Sequence, residues 1–308
     1  MSFPINPTSN ITSPKLSDYF TLHFVVLIYG FTAILGQLTS IHTLGLVFFR
    51  TFLATTGFYI YFKIKSLSTD IDSKGKWQLL ATGGFIISFH WFTFFYAAKI
   101  STVAISLAGI ATTSLWTSLL EPFMNKTRIK PLEIVLGIVV ILGLYLIFLF
   151  EFNHIWGIIL GVISGLLGAV FSILNGQFGK KYSPQIITFY EMMGVAITTI
   201  IPVLYILLMG DSNISVIPKR LDWLWIFILA FVCTIYAYSK SVDLLRIFSA
   251  YTFTLTLNLE PVYGIIFAFL IFGEKERMTS GFYLGTLVIL GSVLIYPLIR
   301  RTNERLNS

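Results

Sequence analysis

The chain has 308 residues, of which 56% are hydrophobic, 16% aromatic and only 11% charged, whereas charged residues make up roughly 25% of an average soluble domain. This composition, with a mean hydropathy of +0.84, excludes soluble globular, disordered, collagen-like and nucleic-acid-binding proteins, which need more polar or proline-rich sequence. The net charge of +7 therefore indicates charge asymmetry between the loops of a polytopic membrane protein, not attraction for acidic partners.

The N-terminal segment, residues 1–19, is polar, and the first long apolar run follows it. That run is too long for the apolar region of a signal peptide and has no small-residue cleavage site, so we predict that it is a membrane span. Cys233 is the one cysteine of the sequence, which allows no disulfide within the chain.

Ten apolar runs are long enough to cross a bilayer, since a helix needs about 20 such residues to do so. The predicted spans cover approximately residues 20–38, 41–62, 77–98, 101–123, 131–149, 155–176, 185–209, 223–241, 249–272 and 279–299. Several connections are so short that the helices they join must be antiparallel, and no loop has room for an extramembrane domain. The predicted fold is therefore an all-α integral membrane protein with ten transmembrane helices.

The basic residues of the loops predict the orientation in the membrane, because lysine and arginine resist translocation. Alternate loops collect fourteen of them on one face of the membrane and five on the other. We therefore predict a multi-pass protein of the cell inner membrane with both termini in the cytoplasm, including a basic tail at residues 300–308.

An internal repeat appears when residues 131–148 are aligned without a gap to residues 279–296. Eight of the eighteen positions are identical, including two glycines, where composition alone would give about two or three matches. Trp77 and Trp223 also open matching spans. The sequence thus indicates that the last five spans are a repeat of the first five.

We predict two inverted five-helix repeats, residues 20–149 and 150–299. An odd number of spans in each repeat turns the second half upside down in the bilayer relative to the first. Inverted repeats are typical of transporters whose substrate site lies near the midplane, between the halves.

Residues 258–264 (NLEPVYG), followed by residues 272–274 (FGE) and a glycine-bearing last span, resemble the EamA-type family of the drug/metabolite transporter superfamily. The first half carries a weaker copy, in which Glu121 belongs to a Leu-Glu-Pro sequence before a short basic loop that ends at Lys130. Arg50 resembles the arginine that these proteins often carry in the second span.

This resemblance implies a ten-helix carrier with inverted five-helix halves that moves amino acids, other metabolites or drugs, commonly outward. The Glu-Pro pair lies in the middle of its span at Glu260 but near the end of its span at Glu121. Because the halves differ in this way, symmetry does not transfer the role of one residue to the other.

Arg50, Glu191 and Glu260 are predicted to lie within the membrane, where a charge costs at least about 2.5–3.5 kcal/mol and needs a partner or water. Arg50 lies about halfway along the second span and Glu191 early in the seventh, its counterpart in the repeat. The two side chains are therefore candidates for a structural ion pair, while direct contact with a substrate stays open for both.

Glu260 precedes Pro261, which leaves a backbone carbonyl without its helical donor at the same depth. The carboxylate is a candidate to bind a substrate amine or to carry a coupling proton, the alternative being a structural kink. Asn258 is a further candidate site residue, although it lies about 200° around the helix from Glu260 and faces a different surface.

His90 lies in the middle of the third span and is a candidate proton relay or donor to a carboxylate, or else forms an ordinary interhelical hydrogen bond. Five aromatic residues are candidates for a cavity wall, although each is equally open to packing or lipid contact. They are Trp91, Trp116, Tyr236, Tyr238 and Tyr263.

The sixth span has small residues at every fourth position, which makes one flat stripe that lets another helix approach closely. The stripe consists of Gly157, Gly161, Gly165 and Ala169. It fits static packing, and a surface that slides during transport stays open as the alternative.

The sequence has no nucleotide-binding loop and no cluster of His, Asp or Cys residues near one interface, so we predict neither an enzyme nor a metal or cofactor. The predicted function is alternating-access export or exchange of an amino acid, a related metabolite or a drug-like amphiphile. A passive channel or facilitator is the alternative, and an integral-membrane enzyme is a less favoured one. The predicted partners are this small molecule, the lipid bilayer and a proton as candidate coupling ion, but no nucleic acid; the sequence does not predict the oligomeric state.

Overall fold

The computed structural model describes residues 14–128, 131–209 and 214–306, and these residues form helices and connecting loops without a β-strand. Most of the predicted N-terminal segment, Lys130 in the basic loop and the last two residues of the predicted tail lie outside the described ranges. The predicted all-helical fold is confirmed for the described residues.

The first half of the chain forms eight helices. They are α1 (Leu16–Gly30), α2 (Thr32–Leu38), α3 (Thr43–Ile64), α4 (Ser73–Ala81), α5 (Ser88–Ile100), α6 (Val103–Ile110), α7 (Thr113–Asn125) and α8 (Pro131–Phe150). A π-helical segment, Thr82–Ile87, joins α4 to α5.

The second half repeats this order with one exception, because its first helix is unbroken. The helices are α9 (Ile155–Phe178), α10 (Pro184–Met209), α11 (Arg220–Ile228), α12 (Ala237–Leu244), α13 (Ala250–Leu257), α14 (Glu260–Phe272) and α15 (Ser280–Leu306). A second π-helical segment, Leu229–Tyr236, joins α11 to α12, and short 3-10 turns at Phe152–His154 and Gly273–Glu276 precede α9 and follow α14.

Within the described ranges, eight helical segments are long and apolar enough to cross a membrane, when helices that run on from one another are counted together. Two shorter apolar helices, Pro131–Ile147 and Ser280–Ser292, lie where we predict the fifth and tenth spans. The multi-pass membrane fold is thus supported by length and composition, and the number of ten spans stays a prediction.

The fourth and ninth predicted spans are each broken in the middle. One break separates α6 from α7 at residues 111–112, and the other separates α13 from α14 at residues 258–259. Asn258 Nδ2 at one break donates a hydrogen bond to Ser114 Oγ beside the other, at 2.7 Å. The two breaks therefore lie side by side between the halves.

The helix starts agree with the difference between the two Glu-Pro pairs that the sequence indicates. Glu260 is the first residue of α14, and Thr113 is the first residue of α7, so Thr113 holds the equivalent place in the first half. Glu121 lies eight residues farther along α7 and is not the structural counterpart of Glu260. The Leu-Glu-Pro sequence that the halves share therefore lies at the end of α7 in the first half and at the start of α14 in the second.

The glycine stripe of α9 packs closely against α6, as the sequence predicts. A Cβ atom at Gly161 would lie 2.9 Å from the Cα of Gly109, whereas real Cβ atoms essentially never come within 3.0 Å of another heavy atom. The spans with the repeated sequence also meet through glycine, since a Cβ at Gly143 in α8 would lie 2.6 Å from Ile289 Cγ1 in α15.

We expect Gly161→Ala to lower the free energy of unfolding by about 1–3 kcal/mol, because the added methyl group overlaps the backbone of α6. Gly176→Ala on the same helix is the matched control, since its Cβ would meet only the Leu245 carbonyl at an ordinary 3.6 Å. Thermal unfolding of the detergent-purified variants measures the difference. Equal effects of the two substitutions would contradict close packing at Gly161.

Candidate functional site

A cavity of about 80 Å³, counted as the space open to the centres of water-sized spheres, lies between the two halves and takes its lining from both. A single water molecule needs roughly 10–15 Å³ by this measure, so the cavity has room for several. One part of the wall is apolar, with aromatic and aliphatic side chains in equal number, and is formed by Phe94, Ile110, Phe171, Leu245, Phe253 and Leu257. The polar part of the wall includes Arg50, His90, Asn175, Tyr238 and Glu260.

Arg50 of α3 is 2% exposed and holds its guanidinium group against this cavity. Its Nε atom donates to Thr234 Oγ1 at 2.7 Å, and its Cζ atom lies 3.9 Å from the centroid of the Trp91 ring. A cation over an aromatic face is stabilised without a carboxylate. Within the described residues the terminal nitrogens have no protein acceptor, which leaves them available to an anionic group in the cavity.

The second π-helical segment, Leu229–Tyr236, supplies the hydroxyl group that orients Arg50. Thr234 Oγ1 donates to the Leu229 carbonyl at 2.8 Å, five residues earlier, while it accepts from Arg50. A π-helical turn contains an extra residue and so turns the side chains that follow it relative to an α-helix. The helix irregularity and the placement of Arg50 are therefore linked.

Glu260 begins α14 and also lines the cavity, with 5% of its surface exposed. Among the described residues no side chain or backbone group donates a hydrogen bond to its carboxylate, and no cation pairs with it. A buried carboxylate of this kind needs compensation from a proton, water or a bound cation.

His90 of α5 lies on the same cavity and is oriented by α9. Its Nδ1 atom lies 2.8 Å from the backbone carbonyl of Ser164, and Ser164 Oγ donates to the His90 carbonyl at 3.1 Å. Because a carbonyl oxygen only accepts, Nδ1 carries the proton of this contact. The other ring nitrogen, Nε2, has no protein partner among the described residues.

The predicted alternative of a pair between Arg50 and Glu191 is wrong, since the described residues show no ion pair between them. Glu191 is fully buried behind the cavity wall, where its Oε2 accepts from Tyr238 at 2.9 Å and from Asn175 Nδ2 at 3.4 Å. Asn175 Nδ2 also donates to the Tyr238 hydroxyl at 2.8 Å. Neutral donors hold this carboxylate, and its Oε1 has no partner within the described structure.

The structure brings together five of the sequence-predicted residues around one cavity, and these are Arg50, His90, Trp91, Tyr238 and Glu260. Glu191 lies one layer behind it. The other four predicted residues do not line this cavity. Tyr236 is 42% exposed beside Phe24, Asn258 is bonded to Ser114, Trp116 has a buried Nε1 without a partner in the described structure, and Tyr263 packs near Gly30.

Sequence reasoning missed several polar residues of the cavity wall. Tyr29 donates to or accepts from Ser241 at 2.7 Å, and both lie on the wall together with Asn175 and Thr113. An asparagine within an apolar run can indicate a polar site inside the membrane. Asn175, however, lies near the end of its predicted span, where a polar residue is equally expected from the adjoining loop. Tyr29 is one of 15 tyrosines and has no such signal.

Titratable side chains do not gather into a metal centre within the described parts of the chain. No group of three or more His, Cys, Asp and Glu side chains there is arranged to hold a metal ion. The arrangement of the cavity instead offers one cation, one carboxylate, a histidine and hydroxyl groups beside an apolar wall.

We expect a double-mutant cycle between Glu191→Gln and Tyr238→Phe to give a coupling free energy above about 0.5 kcal/mol, because the two groups share a buried hydrogen bond. The matched cycle of Glu191→Gln with Arg50→Gln should give additive losses within about 0.5 kcal/mol. Thermal unfolding of the purified variants provides all of these values. Strong coupling of Arg50 to Glu191 would contradict the observed partners.

Comparisons with known proteins agree with this architecture. A solved structure described only as the crystal structure of a protein has a TM-score of 0.68, covers 93% of this chain and 99% of its own, and is 15% identical. An uncharacterized transporter of Archaeoglobus fulgidus is 28% identical over 208 residues, which are 63% of this chain and 71% of that protein. The sequence profile of the EamA-like transporter family matches residues 17–149 and 155–296, and the chain therefore belongs to the EamA-like transporter family.

Proposed function

We propose that the chain is a secondary transporter that exports or exchanges a small metabolite by alternating access. The observation that carries this proposal is the placement of Arg50 and Glu260 on one cavity between the halves, since both are buried, oppositely charged and without a salt-bridge partner among the described residues. A ligand that supplies both missing charges would offset the cost of burying them.

The substrate class that best fits this wall is a zwitterionic amino acid or a related compound with an apolar side chain. Its carboxylate would meet the free nitrogens of Arg50, its ammonium group would meet Glu260, and its apolar part would lie against Phe171 and its aromatic neighbours. Nε2 of His90 is a further polar contact. A drug-like amphiphile with an amine would use Glu260 and the apolar wall, and would leave Arg50 without an anion.

A proton is the proposed coupling ion. Glu260 has no cation partner, and Glu191 has an oxygen without a partner within the described structure, so protonation is one way to neutralise either group. Binding of a substrate ammonium to Glu260 would compete with a proton there. This competition gives exchange of proton for substrate a simple physical basis.

The proposed arrangement has ten spans in two inverted halves and both termini in the cytoplasm. The proposed location is the cell inner membrane. The matching order of helices, the π-helical segments at equivalent places and the paired breaks support two related halves. The basic residues of the loops support the orientation.

We expect a zwitterionic amino acid with an apolar side chain to raise the melting temperature of the purified protein in a screen that also contains nucleobases, organic acids and amines. Glu260→Gln should weaken its binding at least about tenfold, the usual effect of losing one charged hydrogen bond. In proteoliposomes the same variant should lose transport or its dependence on a proton gradient.

Glu274→Gln is the matched control, because the Glu274 side chain is 74% exposed and, among the described residues, bonds to nearby Arg277 alone. The amine and the acid that correspond to the bound amino acid test the two ends of the site separately. Wild-type transport by Glu260→Gln with an unchanged pH dependence would contradict the proposed role of Glu260. Downhill flux that a substrate on the opposite side does not accelerate would indicate a passive facilitator instead.

A further inference from the structure

Glu276 joins the second half of the chain to the start of a helix in the first half. Its Oε1 atom accepts from the backbone N–H of Val103 at 3.0 Å, and its Oε2 atom accepts from that of Ala104 at 3.1 Å. These are the first two N–H groups of α6, which have no acceptor within their own helix. We refer to this contact as the Glu276 clamp.

Glu121 makes the same contact in the opposite direction, from the first half to the second. Its Oε1 atom accepts from the backbone N–H of Ala250 at 3.1 Å, and its Oε2 atom accepts from that of Tyr251 at 2.8 Å. These are the first two N–H groups of α13. We refer to this contact as the Glu121 clamp.

Each clamp completes a helix start that a local hydroxyl group satisfies only in part. Thr102 Oγ1 accepts from the N–H of Ile105, and Ser249 Oγ accepts from that of Thr252, both at 3.1 Å. The carboxylates take the two N–H groups between these positions. Because an anion also interacts favourably with the positive end of a helix, the clamps are stronger than neutral hydrogen bonds.

The two clamps lie at opposite ends of the same pair of spans. Val103 and Glu121 are separated by 18 residues of one broken helix, or roughly 27 Å at 1.5 Å per residue. Ala250 and Glu276 are the first and last residues of the other broken helix, the ninth predicted span. The breaks between them bear Thr113 and Glu260, which line the cavity.

We propose that the clamps are the two locks of the transport cycle, one for each face of the membrane. This inference rests on the proposed transport function and on the predicted orientation, which places the Glu276 clamp at the external face and the Glu121 clamp at the cytoplasmic face. Opening either face requires that α6 separate from the end of α14, or that α13 separate from the end of α7. Each separation breaks one clamp and leaves the other intact, with the breaks in mid-span as hinges.

A cysteine in the cavity reports which face is open. The reporter is Ser172→Cys in a Cys233→Ala background, because Ser172 lines the cavity and its Oγ has no partner in the described structure, while Cys233 is the one natural cysteine. A membrane-impermeant thiol reagent is applied to right-side-out and to inside-out vesicles, and the labelling rate is measured without substrate.

We expect Glu276→Gln to raise the labelling rate from the external side about tenfold, because glutamine replaces one of the two acceptor oxygens with an NH₂ donor that faces a backbone N–H, and the charge interaction is lost. The rate from the cytoplasmic side should not rise. Glu121→Gln should show the reverse. Glu274→Gln and Asp70→Asn replace exposed carboxylates elsewhere in the chain and should leave both rates unchanged.

Thermal unfolding of each variant shows whether it is folded, and Glu276→Asp and Glu121→Asp replace any glutamine variant that is not. These shorter carboxylates keep the charge but cannot reach both N–H groups, so a smaller rise on the same single face is expected. Unchanged rates in folded variants, or equal rises from both faces, would overturn the proposed locks.

This experiment separates failure of the locks from failure of the proposed function, because it needs no substrate. Transport of an amino acid by variants whose labelling does not change would overturn the locks alone. Rapid labelling of the reporter from both faces in the otherwise unchanged chain would overturn alternating access itself, and the locks with it.

Discussion

Backbone groups inside a bilayer must find partners within the protein, because no water is present there to replace them. The fourth and ninth predicted spans are each broken in the middle. At the start of each span, the first backbone N–H groups have no acceptor within their own helix. The carboxylates of Glu276 and Glu121 accept these N–H groups across the halves, and the side chains of Asn258 and Ser114 bond to each other beside the breaks. These contacts join the two halves of the chain.

The cavity shows how charges are held where hydration is limited. Arg50 rests on the face of Trp91 and on one hydroxyl group, and Glu191 is held by Tyr238 and Asn175. Neither arrangement uses an opposite charge, although one salt bridge between them would have satisfied both. In the proposed function, this separation leaves Arg50 and Glu260 available to a ligand or a proton, which a closed ion pair would prevent.

The sequence predicted the helical segments closely because bilayer thickness imposes a minimum apolar length that is visible in any single stretch of chain. Arg50, His90 and Glu260 were also predictable, since charged and titratable residues are rare and costly at mid-depth. The positions of aromatic candidates such as Trp116, Tyr236 and Tyr263 could not be predicted in this way. Aromatic residues make up 16% of the chain, and the residue type alone does not show whether a side chain lines a cavity or contacts lipid. The family resemblance read from residues 258–264 is confirmed by the match over both halves.

The sequence by itself determined that the chain spans a membrane, that its halves are related and which ionisable residues lie at depth, since these depend on local hydropathy and composition. Only the tertiary structure decided which groups these residues contact. The Arg50 side chain bonds to Thr234 rather than Glu191, Thr113 rather than Glu121 takes the place equivalent to Glu260, and Glu121 caps α13. Which side chains contact each other depends on how helices that are distant in the chain cross and on where they break. Neither can be predicted from the sequence of an apolar run.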